Sequence, residues 1–182
     1  LSLSVTDASI DANTLVALTS KTTGLVNVSS TSTLTGTVAE ITAAIGHAGI
    51  SGADTMAVSV TGSITVTQAD AVHALTSGVV SATISDTDLD TLLNLDTGNN
   101  WTVTVDKQTA DNPDTANSEL VTTLDVGNIN TLNGLTNEVV TITAPAITGT
   151  VAELETAFAA NTPADLADRT ISGLETVAIT IE

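Results

Sequence analysis

The sequence predicts an α/β fold: a solenoid-like repeat stack of strand-helix-strand-helix-strand units with a mainly parallel sheet. Three observations predict it. Matched blocks recur along the chain, short Thr/Val-rich alternating runs read as strands, and Ser/Thr-capped stretches with an apolar stripe read as helices. The alternative is an all-β sandwich in which those helical patterns are overread.

The blocks come first. Leu34 to Ile45 reads LTGTVAEITAAI and Ile147 to Phe158 reads ITGTVAELETAF. Ile50 to Thr61 reads ISGADTMAVSVT, against ISGLETVAITIE from Ile171 to Glu182. NTLVALT ending at Thr19 matches NTLNGLT ending at Thr136, so three pairs stand 113 to 121 residues apart. A weaker copy, ALTSGVVSATISDT from Ala74 to Thr87, aligns the Leu-Thr pairs at Leu18, Leu75 and Leu135, spaced by 57 and 60. Three units follow: 1–62, a degenerate 63–120, and 121–182.

Each unit repeats one grammar. A strand such as SITVT opens it, and a helix such as QADAVHALTS leads to a second strand, VVSATIS. A Ser or Thr caps the next helix, TGTVAEITAAIG, where Val38, Ile41 and Ile45 share one face. A Gly-containing turn then leads to a third strand, MAVSVT. Strands alternating with short helices need crossover connections and therefore a mainly parallel sheet. Gly62 and Ser63 mark either a hairpin turn or a bulge within a longer strand. Residues 106–118, DKQTADNPDTANS, have no periodicity and many turn formers, which predicts an exposed inserted loop.

Composition narrows the function classes. Thr supplies about one residue in five, mean hydropathy is +0.34, and the formal charge is −18, from 21 acidic residues against Lys21, Lys107 and Arg169. Such a chain repels nucleic acid and anionic lipid alike. Its apolar runs are too short to span a bilayer as helices, and with no Cys it has neither disulfides nor thiolate metal sites. Phe158 and Trp101 are the only aromatics, so small aliphatic side chains must build thin layers. The chain opens at Leu1 with no basic leader, and it reads as a processed product or a segment of something longer.

The chemical candidates are few. His47 and His73 lie outside any nucleophile or zinc motif, which excludes both from catalysis in this reading. Paired carboxylates carry no information among 21 acidic side chains, so no enzyme is expected. Asp86, Asp88 and Asp90 resemble positions 1, 3 and 5 of a calcium loop, but Thr91 replaces the required Gly and Thr97 the closing Glu. The competing reading is an acidic helix N-terminus capped by Ser85. Asp106, Asp111 and Asp114 are weaker calcium candidates. Asn27-Val28-Ser29 and Asn100-Trp101-Thr102 fit the glycosylation acceptor pattern. Trp101 is the one ring considered for stacking on a carbohydrate.

TGTVAEITAAIG and TGTVAELETAFAAN, each paired with ISG and a VTVT-like strand, resemble repeat modules of very large secreted surface proteins. Those proteins occur in marine cyanobacteria and other Gram-negative bacteria, and similar Thr/Val/Ala-rich modules occur in phage virion appendages. The resemblance spans most of the chain. It implies tandem modules of an adhesin, surface layer or extracellular fibre, with no catalytic residues.

The functional expectation is a non-catalytic, extracellular or cell-surface structural repeat protein. Strands LSLSVT and ETVAITIE leave edge groups that another module or subunit would cover, so head-to-tail continuation is expected, either with neighbouring repeats along a longer chain or by self-association between copies. A phage fibre or decoration protein and a calcium-dependent adhesive module are the alternatives.

Overall fold

Six short oxygen-bearing side chains decide where the helices begin. The computed structural model describes residues 1–28, 32–112, 117–162 and 170–182. Asp11 caps α1 (Ala12–Thr19), Thr37 caps α2 (Val38–Ile45) and Thr65 caps α3 (Val66–His73). Asp88 caps α4 (Leu89–Leu92), Asp125 caps α5 (Val126–Asn133) and Thr150 caps α6 (Val151–Asn161). Each cap accepts the backbone amide three residues on, one of the donors a helix start leaves unpaired. At Thr37, Thr65 and Thr150 the third residue (Glu40, Gln68 or Glu153) reaches back to the cap's own amide and closes a capping box. Each cap contributes about 1 kcal/mol to helices too short to hold by themselves.

The chain folds as two units, Leu1–Thr83 and Ile84–Glu182. In the first, β1 (Leu3–Val5), β3 (Val26–Val28) and β5 (Ile50–Ser51) pair in parallel in that order. A second parallel set orders β2 (Ser9–Asp11), β4 (Thr33–Gly36) and β6 (Ala57–Ile64), with β7 (Val80–Ile84) next to β6. Helices connect strands that run the same way, as parallel pairing requires. The inward helix stripe has i, i+3 spacing: Ala12 and Leu15, Ile41 and Ala44, then Val66, Ala69 and Val72 are all buried. Leu34, Val26 and Met56 complete this core.

The second unit is built alike. Here β8 (Asn100–Val105), β12 (Val140–Ile142) and β14 (Ile171–Ser172) form one parallel set, and β11 (Thr123–Asp125), β13 (Ala146–Gly149) and β15 (Ala178–Ile181) another. Leu89 and Leu92, then Val126, Ile129 and Leu132, then Leu154 and Ala157 repeat the i, i+3 stripe. An antiparallel hairpin, β9 (Gln108–Asn112) with β10 (Asn117–Val121), is added to it.

The two ISG blocks show why their glycines are needed. Gly52 and Gly173 adopt φ of 89° and 92° at the start of matching 3-10 turns. A Cβ on Gly52 would lie 2.9 Å from the Val28 carbonyl oxygen, and one on Gly173 would run into that of Ile142. Only a residue without a Cβ fits both the angle and the space.

The structure settles the fold class as α/β with mainly parallel sheets, and it excludes the all-β sandwich: the capped, i, i+3-striped segments are helices. Four details differ from the sequence reading. In SITVT, Thr65 caps and Val66 begins α3; of the two readings of Gly62–Ser63 the longer strand is the one found, with Gly62 (φ 81°) inside β6 and no hairpin there. In α2, Ile41 and Ala44 are the buried pair, with Val38 and Ile45 only half-buried. Ser85 does not cap α4; Asp88 does. Most of the predicted loop 106–118 is the β9–β10 ribbon, with residues 113–116 outside the described residues. QTADN and NSELV lack apolar alternation, so a search for that pattern does not detect the ribbon.

Candidate functional site

The site follows from a threonine turn that recurs three times. The Thr22 hydroxyl accepts from the Gly24 amide at 3.1 Å and donates to the Leu1 carbonyl. Thr76 accepts from Gly78 at 3.0 Å and donates to the Met56 carbonyl at 2.6 Å. Thr136 accepts from Glu138 at 3.0 Å and donates to the Trp101 carbonyl at 2.8 Å, while the Trp101 amide donates to it at 2.9 Å. A hydroxyl can close its own turn as acceptor and hold a neighbouring strand as donor. Each threonine stands eleven residues after its helix cap (Asp11, Thr65 and Asp125). The structural counterpart of Thr76 and Thr136 is therefore Thr22, and the Leu18-Thr19 alignment is off register by three residues.

The strands that receive these turns share a pattern: LSLSVT from Leu1, MAVSVT from Met56 and WTVTVD from Trp101. They also share a register. Leu3 pairs with Val26 and Val103 with Val140, and the Leu3 and Val58 amides donate to the Leu25 and Val79 carbonyls at 3.0 and 2.9 Å. A fourth segment of this type is VAITIE from Val177, which contains β15.

β15 lies on β13 as β6 lies on β4. Ala57, Val58, Ser59 and Val60 face Thr33, Leu34, Thr35 and Gly36; Ala178, Ile179, Thr180 and Ile181 face Ala146, Ile147, Thr148 and Gly149. The environments differ sharply. Val58 and Val60 are 1% and 8% exposed, whereas Ile179 and Ile181 are 49% and 63% exposed. With Val151, Leu154, Glu155 and Phe158 of α6, these isoleucines line an open apolar groove of about 310 Å³. Val151 is itself 55% exposed, an arrangement expected of a contact surface.

The predicted calcium residues do other work. Asp88, as cap, accepts on Oδ2 from the Thr91 amide at 3.0 Å and the Thr91 hydroxyl at 2.7 Å, and on Oδ1 from the Thr109 hydroxyl at 3.1 Å. Asp90 accepts from Gln108 Nε2 at 3.2 Å, and Gln108 Oε1 accepts from the Asp125 amide at 2.8 Å. These carboxylates thus tie the added hairpin to the caps of α4 and α5. Asp86 precedes the cap by two residues. Asp106 is held below the usual carboxylate range by a hydrogen bond with Thr87, then by Lys107, whose Nζ lies 3.1 Å away. Among the described residues no three acidic or imidazole side chains gather as a metal site. Asp114 and the side chain of Asp111 lie outside the described residues.

The remaining candidates resolve simply. Trp101 is fully buried and its indole N–H donates to the Asp96 carbonyl at 2.7 Å, so its ring presents no face to a sugar. His47 Nδ1 accepts from the Gly49 amide at 3.0 Å within its own turn, and His73 closes α3. The Asn100 side chain accepts from Asn137 at 3.2 Å. In the other acceptor pattern, Ser29 lies outside the described residues. Among the described residues no helix is long and apolar enough to cross a membrane.

Comparison with protein-family models, curated proteins and solved structures finds no match to this chain. The groove and the threonine turns escaped the sequence reading; the paired blocks MAVSVT and VAITIE carried the signal for the groove, and the eleven-residue spacing from the helix cap carried it for the turns.

Proposed function

We propose that this chain is a non-catalytic structural module of an extracellular bacterial assembly, such as a surface layer, adhesin stalk or filament. In this reading its strand-helix cassettes stack in a solenoid-like array that continues head to tail from one copy to the next. The observation that carries it is the contrast between Val58/Val60 and Ile179/Ile181, equivalent in register and opposite in burial. Isoleucines left half or more open beside Phe158 and Val151 are what a stacking interface leaves when its next layer is absent. Covering such side chains stabilises by roughly 25 cal/mol per Å² of apolar surface removed from water.

Charge supports the same reading. At −18 per copy, electrostatic repulsion opposes non-specific clumping and keeps association confined to the apolar surface. Salt screens that repulsion, so a saline surrounding favours the stacked form. With Lys and Arg totalling three, few sites are offered to trypsin-like proteases outside a cell.

Sedimentation velocity over a range of concentration and salt tests the proposal. Species in multiples of 18.2 kDa should grow with both. A monomer at every concentration and salt level would end it.

A further inference from the structure

We infer that two copies join by strand replacement: β15 of one copy takes the place that β1 holds on a second copy. This rests on the head-to-tail reading and specifies its joint.

The internal strand β6 does two jobs at once. One edge pairs with β4, and the other meets β7 and receives the Thr76 turn on the Met56 carbonyl. The terminal strands divide those jobs. β15 pairs with β13, as β6 does with β4, and is the outer strand of its set. β1 pairs with β3 and receives the Thr22 turn on the Leu1 carbonyl, again as an outer strand. Each is half of a β6. Placing β15 where β1 lies restores the whole arrangement, with Val177, Ile179 and Ile181 at the positions of Leu1, Leu3 and Val5.

The fit of β1 favours its replacement. In the internal strands the second inward residue is fully buried, as Val58 and Val103 are, yet Leu3 is only half-buried. Only Val5, at 6%, is fully seated. β15 offers β-branched residues at all three positions, which suits a strand. The hydrogen bonds match too. Ala178 and Glu182 donate to Pro145 and Gly149 of their own unit, which turns the alternate amide of Ile179 to the opposite edge, where Val58 meets the Val79 carbonyl. On a second copy that amide meets Leu25 O, and the Val177 carbonyl meets the Thr22 hydroxyl. α1 then lies beside α6 as α3 lies beside α2, closing the groove. Because β1 is tethered at its site, exchange must be slow and concentration-dependent.

Engineered disulfides in the full chain, which has no native cysteine, test the joint. Ser4 faces Asn27 in the β1–β3 register, and Thr180 stands at the place of Ser4; all three are exposed. Under mild oxidation Asn27→Cys/Thr180→Cys should give a ladder of covalent oligomers, and a mixture of the two single variants a 27–180 linked dimer. Ser4→Cys/Asn27→Cys should give an internally locked monomer whose assembly is lost and returns on reduction. Assembly by sedimentation without a 27–180 link overturns the joint and leaves the head-to-tail reading standing. A locked 4–27 chain that still assembles overturns replacement in favour of simple edge contact. If the unmodified chain never associates, the head-to-tail reading itself falls.

Discussion

Val58 and Ile179 sit at equivalent places in two matching ladders and meet different surroundings. Val58, on β6, is buried in a strand paired by β4 on one edge and β7 on the other; Ile179, on the outer strand β15, is half open beside α6. The comparison separates two properties that are often merged. Strand register is local, set by alternation and by a turn such as Gly52 or Gly173. Burial is supplied by the next layer, and a repeat can be complete in register while lacking it.

Charge substitution should break the comparison most visibly. Val60→Asp puts a carboxylate into a site 8% exposed and should cost more than about 4 kcal/mol, unfolding the first unit. Ile181→Asp, at the matching position, should change stability by about 0.5 kcal/mol or less and abolish assembly. Circular-dichroism melts with sedimentation of both variants distinguish the outcomes, and equal destabilisation would refute the asymmetry.

The threonine turns come next. Thr136→Val strands both the amide and the carbonyl of buried Trp101 and should cost about 1–3 kcal/mol. Thr76→Val removes the hydroxyl from one strand carbonyl, that of Met56, and should cost less; Thr22→Val, at a half-buried site, least. Urea unfolding gives the order, and a reversal would show that the three turns are not equivalent.

A smaller effect sharpens the likeness between units. The carboxyls of Glu40 and Glu153 are both lowered, first by the hydrogen bond from the cap backbone (Thr37 or Thr150), then by the cap hydroxyl. A carboxyl lowered in the folded state contributes stability fully present above its ordinary pKa of about 4.3 and lost as pH falls through the lowered value. Glu40→Gln keeps the box, as Gln68 does naturally, but should flatten that acid limb in a pH series of melts. An unchanged limb would mean that other carboxyls govern it. Smallest of all, a chelator should leave Tm unmoved, since hydrogen bonds from Thr91, Thr109 and Gln108 already occupy Asp88 and Asp90. A fall in Tm would restore the calcium reading of Asp86, Asp88 and Asp90.

The helices were legible because their signals are short-range: Thr37 and Glu40 three residues apart, then an apolar stripe, in two copies. The alternation of MAVSVT and VAITIE likewise announced strands. What escaped depends on distant partners. The Thr22 hydroxyl finds Leu1 across 21 residues and Thr136 finds Trp101 across 35, and nothing beside either threonine names its partner. Matching by look-alike residues therefore chose Leu18-Thr19, when spacing from the cap would have chosen Thr22. The β9–β10 ribbon was invisible because QTADN and NSELV carry no apolar alternation and its ties to Asp88, Asp90 and Asp125 reach across 17 residues or more. Asp88 drew attention as a metal ligand because a cap and a ligand place the same carboxylate at the same spacing.

The most direct test is amide hydrogen exchange at Ile179 as a function of protein concentration. In dilute solution its amide should exchange far faster than that of Val58, which is bonded to the Val79 carbonyl. As the chain assembles, Ile179 should become protected to a similar degree, while Val58 stays as it was. An Ile179 amide that keeps exchanging freely while large assemblies form would contradict the account.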